Sequence, residues 1–288
     1  MPELLLKSDD AGRELKRLLV ADLADAVAAL GDAARPQEAR VHAARRKLKR
    51  ARSLLRVLKP HLGGDYARRR ADLRAAAGEL SGTRDLDVMA ATAANLVDHA
   101  PGKLRPVIGD IAVRVAREAE AAHATATPVE AVMARLRTAQ AEAEALAEPD
   151  DGKTLFRTEL ARAYKAARKA MAVAGSGRGE QPFHDWRKRV KHHYHLSRMV
   201  KGAGKATAKK VVADLDALGE LLGVEHDHAV LAARLLDDPL LAGDGRTADR
   251  LHEVIDARRA KLQKKAFRLG AKLYADKLKA FRDAIHAD

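Results

Sequence analysis

The residues best suited to chemistry in this sequence are the basic side chains between positions 41 and 59. This segment contains eight lysines and arginines and no acidic residue. In an α-helix of about 3.6 residues per turn, six of its polar side chains share one face, with one more arginine at the edge. The face comprises His42, Arg45, Arg46, Lys49, Ser53 and Arg56, and the edge residue is Arg52. Guanidinium, ammonium and imidazole groups in this arrangement favour a ligand with several negative charges.

A second basic segment, between positions 183 and 201, repeats this arrangement. It contains six lysines and arginines and one acidic residue, Asp185. Helical spacing again gives one polar face, which comprises His184, Arg187, Lys188, Lys191, His195 and Arg198. The chain has 54 lysines and arginines, 40 aspartates and glutamates, and a net charge of +14. The two segments hold nearly all of this excess, so the sequence predicts two cationic helices on an electrically balanced scaffold.

Like charges follow one another along the first segment at the i,i+3 and i,i+4 spacings of helix neighbours. Seven such pairs occur. At about 0.2–0.5 kcal/mol each, they destabilise the helix by roughly 1–4 kcal/mol. A solvated charged face, the ordinary interpretation of a basic run, usually mixes acids with bases, as residues 253–265 do. The unmixed face therefore favours a functional anion-binding surface.

Other basic and imidazole side chains are open to two interpretations. Lys165, Arg168 and Lys169 share one helical segment and form either a solvated face or a further cleft wall. His42 and His184 each begin a cationic face, where the imidazole donates either to a phosphate or to a structural acceptor. If these two histidines contact phosphate as cations, affinity strengthens as the pH falls from about 8 to about 6.

A metal site and a catalytic site are both disfavoured. His192, His193 and His195 are close in sequence, but no carboxylate or cysteine lies at ligand spacing, and the surrounding cations repel a divalent ion. The sequence shows no P-loop, no carboxylate cluster for Mg²⁺ and no nucleophile–base pair. The chain has no cysteine, which excludes disulfides, thiolate zinc sites and thiol catalysis. We therefore expect a non-catalytic binding protein without a metal or cofactor.

The elements that position these faces are helices. Good helix formers dominate, and no sustained alternation of β-branched residues occurs. Prolines and glycines divide the chain into amphipathic segments of about 12–25 residues. The last segment, 246–287, favours one long helix. Residues 148–152 mark the boundary between two halves, 1–148 and 149–288. The sequence predicts an all-α bundle.

Each basic segment also has an apolar side at the spacing of a core-facing helix. In the second segment this side contains Trp186 and Val190. In the first segment, the apolar stripe consists of Ala44, Leu48, Ala51, Leu55 and Leu58. We therefore expect both helices to be anchored in a core while their cationic faces stay accessible.

The two halves align with each other without a gap at a constant offset of 142 residues. Matched pairs include His42 with His184, Arg45 with Arg187, Arg46 with Lys188, Lys49 with Lys191, Leu54 with Leu196, Arg56 with Arg198, Leu80 with Leu222 and Val88 with Val230. One register across three successive helices indicates an internal duplication, with the halves related by an approximate two-fold axis. The two copies of the basic helix are then expected to face each other across a shared cleft.

These segments resemble a known family. Residues 41–52, followed by Leu54 and Arg56, resemble the first signature of the CHAD family, the conserved histidine α-helical domain. Residues 183–191 resemble the second signature. Residues 84–88 and 222–227 are similar to the turn motifs that follow the third helix of each half. The likeness extends over essentially the whole chain.

The resemblance implies two four-helix bundles related by pseudo-two-fold symmetry, with a basic cleft or pore between them. It also implies binding of inorganic polyphosphate, often at polyphosphate granules. By position, the phosphate contacts are His42, Arg45, Arg46, Lys49, Arg56, His184, Arg187, Lys188, Lys191 and Arg198, with Lys165, Arg168 and Lys169 as weaker additions. Some relatives carry a triphosphate-tunnel domain. Its Glu-x-Glu-x-Lys motif does not precede these segments, so that catalytic module is not expected.

We therefore expect inorganic polyphosphate as the ligand, with sulfate or phosphate able to occupy the same site in a crystal. The alternative is sequence-independent binding of a nucleic-acid backbone. Against it, aromatic residues make up only 3% of the chain, and no segment is typical of a groove-reading helix. No signal sequence or spanning segment is evident, so we expect a cytoplasmic protein without membrane contact, associated with polyphosphate granules.

Overall fold

The structure is a computed structural model that describes residues 4–5, 10–80, 84–124, 129–177, 180–201 and 208–286. Within these ranges the chain is helical, apart from the parallel pairing of β1 (Leu4–Leu5) with β2 (Val200–Lys201). This confirms the predicted all-α class. None of the described helices is both long and apolar enough to cross a membrane. The helices are α1 (Ala11–Gly31), α2 (Gln37–Val57), α3 (Lys59–Leu62), α4 (Asp65–Glu79), α5 (Arg84–Leu96), α6 (Arg105–Ala124), α7 (Val129–Glu144), α8 (Gly152–Ser176), α9 (Gln181–Met199), α10 (Lys209–Asp237), α11 (Pro239–Ala242), α12 (Gly245–Leu273) and α13 (Leu278–His286).

Four helices, α1, α2, α4 and α7, pack into a first bundle. All five residues of the apolar stripe predicted for α2 are buried, which confirms that prediction. They share a core with Leu15 and Leu18 of α1 and Leu136 of α7, none of which has exposed surface. Full burial of a leucine contributes about 1.5–3 kcal/mol. This core therefore anchors α2, and of its basic side chains only Arg50 is buried.

A second bundle consists of α8, α9, α10 and α12. Trp186 and Val190 of α9 are fully buried, as predicted. The Trp186 ring stacks on Phe267 of α12 with the ring centroids 5.1 Å apart. Gly270 makes this approach possible, because a Cβ atom at that position would lie 2.8 Å from the Trp186 ring. The second basic helix is therefore anchored by aromatic packing, whereas the first is anchored by leucines.

A separate apolar cluster joins the two halves at the far end of the molecule. Here α5 and α6 form a hairpin, connected through 3-10 turns at Val97–His99 and Gly102–Leu104. The hairpin packs on α10, α11 and α12, and it buries Ala93 and Ile108 against Leu231. A hairpin from the first half of the sequence thus completes a core in the second. The division into 1–148 and 149–288 stays a prediction.

The predicted long helix at the C-terminus is wrong, because α12 ends at Leu273 and α13 begins only at Leu278. The break lets α13 fold back onto α8, where Phe281 stacks on Tyr164 with the ring centroids 3.9 Å apart. The Tyr164 hydroxyl also donates to the carbonyl oxygen of Asp276 in the connection. Burial of the Phe281 ring favours this reversal over an extended helix in solvent.

The turn motif predicted at residues 222–227 is also wrong, since the whole segment lies inside α10. Asp227 is therefore a mid-helix residue. In the first half, α4 ends at Glu79 and α5 begins at Arg84, and residues 81–83 lie outside the described residues. The segments matched by the repeat thus form one continuous helix in the second half and two helices in the first. The internal duplication stays a prediction.

Candidate anion-binding cleft

The two basic helices meet at a cleft of about 510 Å³ between α2, α4 and α9, which we call the cationic cleft. Nine lysines and arginines and one carboxylate line it among the described residues. The lining residues are Lys49, Arg52, Ser53, Arg56, Tyr66, Arg70, Arg74, Asp185, Arg187, Lys188, Arg189, Lys191, His192 and His195. A concave surface with this excess of one sign of charge concentrates anions.

Six side chains of the two predicted cationic faces, the edge residue Arg52 included, come together in this cleft. Three belong to α2 and three to α9, and they are Lys49, Arg52, Arg56, Arg187, Lys188 and Lys191. They come together because the core-facing sides of α2 and α9 are buried in neighbouring bundles. The helices also contact each other. The structure thus gives one surface shared by the two basic segments.

The other predicted site residues do not line the cleft. At the N-terminal end of α2, Arg45 donates from Nη1 to the carbonyl oxygen of Ala77 at 2.9 Å, which links α2 to α4. On α9, Arg198 donates from Nη1 to the hydroxyl of Tyr194 at 2.8 Å. The predicted residues outside the cleft lining are His42, Arg45, Arg46, Lys165, Arg168, Lys169, His184 and Arg198.

The sequence analysis missed the contribution of α4, which adds Arg70, Arg74 and the ring of Tyr66 to the cleft. It also missed Arg189 of α9. A usable signal was present, because Arg70 and Arg74 have i,i+4 spacing and so share a helix face. Only the packing of α4 beside α2 brings that face to the cleft.

Crowding of cations and loss of water perturb the cleft side chains. Burial, followed by the charges of Arg70 and Arg74, lowers the pKa of Arg52. Burial, with Lys49 as the next cause, lowers the pKa of His195 to about 3, so this imidazole is neutral at physiological pH. The Nε2 atom of His195 and the Nε atom of Arg187 are buried and have no hydrogen-bond partner. The cleft wall therefore contains two buried polar atoms without hydrogen-bond partners, which is uncommon in a folded protein.

Two exposed carboxylates lie beside the cations of α9. Lys188 is 3.4 Å from Asp185, one turn earlier on the same helix. Lys191 donates from Nζ to Glu220 of α10 at 2.6 Å, and the Glu220 side chain is 71% exposed. Gly219 lets Lys191 lie across α10, since a Cβ atom there would be 2.9 Å from Lys191 Cε. Exposed pairs of this kind are worth about 0–1 kcal/mol, so a multivalent anion competes with them easily.

A buried polar network lies at the floor of the cleft. His192 Nδ1 is 3.1 Å from Ser53 Oγ, and His192 Nε2 is 3.0 Å from Glu159 of α8. Arg56 Nε lies 4.0 Å from the same carboxylate. Burial chiefly lowers the pKa of His192. The network ties α2, α8 and α9 together. Ser53 Oγ also lies 3.2 Å from the carbonyl oxygen of Lys49.

The three neighbouring histidines of α9 occupy three different environments. His192 belongs to the buried network, and His195 faces the cleft. His193 lies in the core, 3.4 Å from the hydroxyl of Tyr274, and burial lowers its pKa to about 3. Within the described ranges, no group of three or more histidine, aspartate or glutamate side chains is arranged to hold a metal ion.

His184 packs against a partner that the sequence did not indicate. Its ring lies 4.3 Å from the ring of His226 on α10, centroid to centroid. Burial, then the charges of Lys188 and Arg187, lowers the pKa of His184. Burial and Arg187 likewise lower the pKa of His226 to about 4. In the ligand-free protein this pair is neutral near pH 7, so His184 acts there as a neutral donor or acceptor.

Two cations of the first basic segment face α1 and not the cleft. The Arg50 guanidinium donates to the fully buried Asp22, and Lys47 pairs with Asp25. Burial is the main reason that the pKa of Asp22 is raised. Two of the positive charges on this helix are therefore paired with carboxylates of α1 and do not contribute to the cleft.

Comparisons with known proteins support the fold. Residues 17–236 match the family model of the CHAD domain. PptA from Streptomyces chartreusis has a similar structure over 92% of this chain and 99% of its own, with a TM-score of 0.63 and 18% identity. The crystal structure of the CHAD domain from the plant Ricinus communis is similar over 100% of this chain and 93% of its own, with a TM-score of 0.52 and 20% identity. No curated protein matches the chain in sequence.

Proposed function

Because the chain belongs to the CHAD domain family, we propose that it binds inorganic polyphosphate in the cationic cleft and does not act on it chemically. The observation that carries this proposal is the lining of the cleft, where nine lysines and arginines surround a single carboxylate. Like charges repel strongly in a partly dehydrated site. A ligand with many negative charges removes that repulsion along the whole surface, whereas a single phosphate removes it at one point.

The spacing of the cations suits a linear ligand. Along α2, the rise from Lys49 to Arg56 is about 10 Å, and along α9 the rise from Arg187 to Lys191 is about 6 Å. Each wall therefore offers contacts to successive phosphate groups of one chain. Arginine donates through two parallel N–H groups to phosphate oxygens, and lysine supplies a mobile point charge. Affinity then comes from many weak contacts and from the release of counterions.

The buried polar atoms without partners fit the same ligand. Non-bridging phosphate oxygens accept hydrogen bonds, and the Nε–H of Arg187 lacks an acceptor in the ligand-free protein. Neutral His195 has one N–H group, which donates to an oxygen if Nε2 carries the proton. Binding thus removes the cost of leaving these atoms unpaired, which is about 1–3 kcal/mol for a buried polar group.

In this proposal, the predicted contacts outside the cleft lining extend the surface along which polyphosphate binds. Residues in the N-terminal half of α2 and at the two ends of α9 receive the part of a long chain that leaves the cleft, and α8 supplies the weaker contacts. These outer residues are His42, Arg45, Arg46, His184, Arg198, Lys165, Arg168 and Lys169. Polyphosphate chains longer than the cleft should therefore bind more tightly than short ones. The same binding would recruit the protein to polyphosphate granules.

The network of Ser53, His192 and Glu159 is structural in this proposal. Ser53 is only 5% exposed and His192 only 8%, so a phosphate in the cleft meets the cations before it meets the hydroxyl. The carboxylate instead holds His192 and lies near Arg56. Release of orthophosphate from polyphosphate in the presence of Mg²⁺, if lost on replacement of His192, would overturn the non-catalytic proposal.

The proposal is tested by titrating the full chain with long-chain polyphosphate at several salt concentrations, by calorimetry. We expect saturable binding. The logarithm of the association constant should fall linearly with the logarithm of the salt concentration. Orthophosphate at an equal concentration of phosphate groups should bind far more weakly. Duplex DNA is the competitor that separates the two ligand classes. Displacement of polyphosphate by an equal concentration of DNA phosphate would favour the nucleic-acid alternative.

A further inference from the structure

A second cavity, of about 250 Å³, lies inside the first bundle between α1, α2, α4 and α7. Its floor is aliphatic and its mouth is charged. The floor consists of Leu19, Leu23, Leu55, Leu73, Ala139 and Ala143. The mouth consists of Arg68, Arg69, Asp72, Arg135, Thr138 and Glu142. This combination of an apolar interior with a few polar groups at one end is typical of small-molecule sites.

The size of the cavity sets the size of its ligand. Protein interiors are close-packed, and voids much larger than a water molecule are few. An engineered cavity of about 150 Å³ with aliphatic and aromatic walls binds benzene. The cavity of about 250 Å³ therefore accepts a molecule moderately larger than benzene. A polyphosphate chain does not suit it, because the leucine floor offers its oxygens no donors.

The mouth contains a donor without an acceptor. Arg68 and Arg69 both donate to Glu142, each at 2.9 Å. Arg69 uses Nη1 for this bond, and its Nη2 lies 4.0 Å from Asp65. The side chain of Arg69 is only 13% exposed, and its Nε atom is buried without a hydrogen-bond partner. A ligand oxygen at the mouth would satisfy this N–H group.

The charges at the mouth balance one another. Among the lining residues, three arginines stand against two carboxylates. Arg135 pairs outside the lining with Glu79, at 3.1 Å, so the mouth has no excess positive charge. The donor without an acceptor, Arg69 Nε–H, is therefore what favours a carboxylate, which accepts from arginine with good geometry.

We propose that this cavity binds a small amphipathic carboxylate, with its hydrocarbon part among the leucines and its carboxylate accepting from Arg69 Nε. The hydrocarbon part gains the free energy of leaving water, and the carboxylate satisfies the buried N–H group. The site is separate from the cationic cleft, because α2 and α4 present Leu55 and Leu73 to the cavity and other side chains to the cleft.

Hexanoate is the probe, titrated into the full chain and followed by leucine methyl NMR and calorimetry. We expect saturable binding, and about tenfold weaker binding of the uncharged isostere hexanol, since it forms no charge-assisted bond. Excess polyphosphate should not displace hexanoate. No saturable binding of hexanoate, equal affinity for hexanol, or displacement by polyphosphate would each overturn the proposal.

Two kinds of variant locate the site. Ala143→Leu fills the cavity and should abolish binding, and Ala139→Leu does the same from a less buried position if the first variant folds poorly. Arg69→Gln should lower the affinity for hexanoate about tenfold and leave the affinity for hexanol unchanged. Arg137→Gln, on the exposed side of α7, is the matched control and should bind as the wild type does. Hexanoate binding that survives Ala139→Leu in a folded protein would place the ligand elsewhere.

Discussion

The two basic helices form opposite walls of one cleft, yet the walls differ in charge because their neighbouring helices differ. Beside α2, helix α4 adds Arg70 and Arg74 to the lining. Beside α9, helix α10 adds the carboxylate of Glu220, which accepts from Lys191. The α9 wall also contains Asp185 and histidines of lowered pKa. Similar sequence segments thus give a strongly cationic wall and a partly neutralised one.

The buried sides of the same helices show a second contrast. Arg50 and His192 match each other in the repeat, and each contacts a buried carboxylate on the first helix of its half. Arg50 pairs with Asp22 of α1, and His192 lies 3.0 Å from Glu159 of α8. One half uses a permanent cation and the other uses an imidazole whose pKa burial lowers. The internal contact of the first half therefore has more positive charge than that of the second half, as is also true of the two cleft walls.

The largest expected effect is on stability. Arg50→Ala should destabilise the protein by about 3–5 kcal/mol, since it leaves the buried Asp22 without its cation. His192→Ala should cost less, about 1–3 kcal/mol, because the imidazole has a lowered pKa and Arg56 still lies 4.0 Å from Glu159. Urea unfolding followed by circular dichroism measures both values. Arg189→Ala, on the exposed rim, is the control and should change stability by less than about 0.5 kcal/mol. Equal losses for Arg50 and His192 would contradict the contrast.

The next effect is on polyphosphate affinity. Replacement of Lys49, Arg52 and Arg56 together by glutamate should weaken binding on the order of 100-fold, because each contact is lost and repulsion replaces it. The same change at three cations of the α9 wall should weaken binding less, by about tenfold, since that wall is already partly neutralised. The α9 cations are Arg187, Lys188 and Lys191.

Calorimetry at fixed salt measures these affinities, with circular dichroism to check folding. The control reverses three exposed lysines of α12 outside the cleft lining, namely Lys261, Lys264 and Lys265. This control changes the net charge equally and should weaken binding only slightly. An unchanged affinity after reversal on α2 would mean that the ligand does not occupy the cleft.

Removal of the two carboxylates beside the α9 cations should have a smaller effect on polyphosphate affinity, in the opposite direction. Asp185→Asn and Glu220→Gln should each strengthen polyphosphate binding by about two- to threefold, because each frees a lysine from an exposed ion pair. The gain should shrink at high salt, where such pairs are screened. Asp249→Asn, exposed and outside the cleft lining, is the matched control. If neither cleft variant gains more than this control, the carboxylates do not weaken the α9 wall.

The smallest effect concerns pH. The sequence favoured stronger binding between about pH 8 and pH 6 if His42 and His184 were cations. Burial lowers the pKa of His184 in the structure, and the pKa of His195 falls to about 3. Groups of lowered pKa gain a proton at a lower pH than a free imidazole does, so they add less charge between pH 8 and pH 6. We expect the affinity to change less than about twofold between pH 8 and pH 6. A larger increase in that range would contradict this expectation.

The lowered pKa values of buried histidines also make the folded state less stable in acid. An unfolded histidine has a pKa of about 6.5, whereas buried His193 has a pKa of about 3 in the folded chain. The unfolded chain therefore binds more protons below about pH 6.5, and folding loses stability as the pH falls from there toward the folded pKa. Urea unfolding at a series of pH values measures this loss. His193→Gln should reduce it.

Much of the fold was predictable because it follows from local periodicity. The apolar stripe of α2 and the buried ring of Trp186 are set by residues a few positions apart on one helix. The errors came from long-range packing. Residues 222–227 continue α10 where a turn was predicted, and α13 folds back where Phe281 meets Tyr164. Neither outcome depends on the local sequence alone.

The residues of the candidate site were likewise predictable where they depend on local spacing and not where they depend on long-range packing. Helical spacing was enough to group the cations of α2 and of α9 into faces. It could not show that Arg70 and Arg74 join them, since that requires α4 to pack beside α2. Nor could it show that Arg50 turns inward, because its partner Asp22 lies 28 residues earlier on another helix.

The residues and their spacing were enough to predict that this protein is helical and that two of its helices have cationic faces. These properties depend on residue type and on a repeat of a few residues. The packing of the helices was needed to show which cations share a cleft, which are neutralised by buried carboxylates, and which imidazoles are neutral. Those outcomes depend on burial and on charges from other helices, because electrostatic energies are set by distance and by access of water.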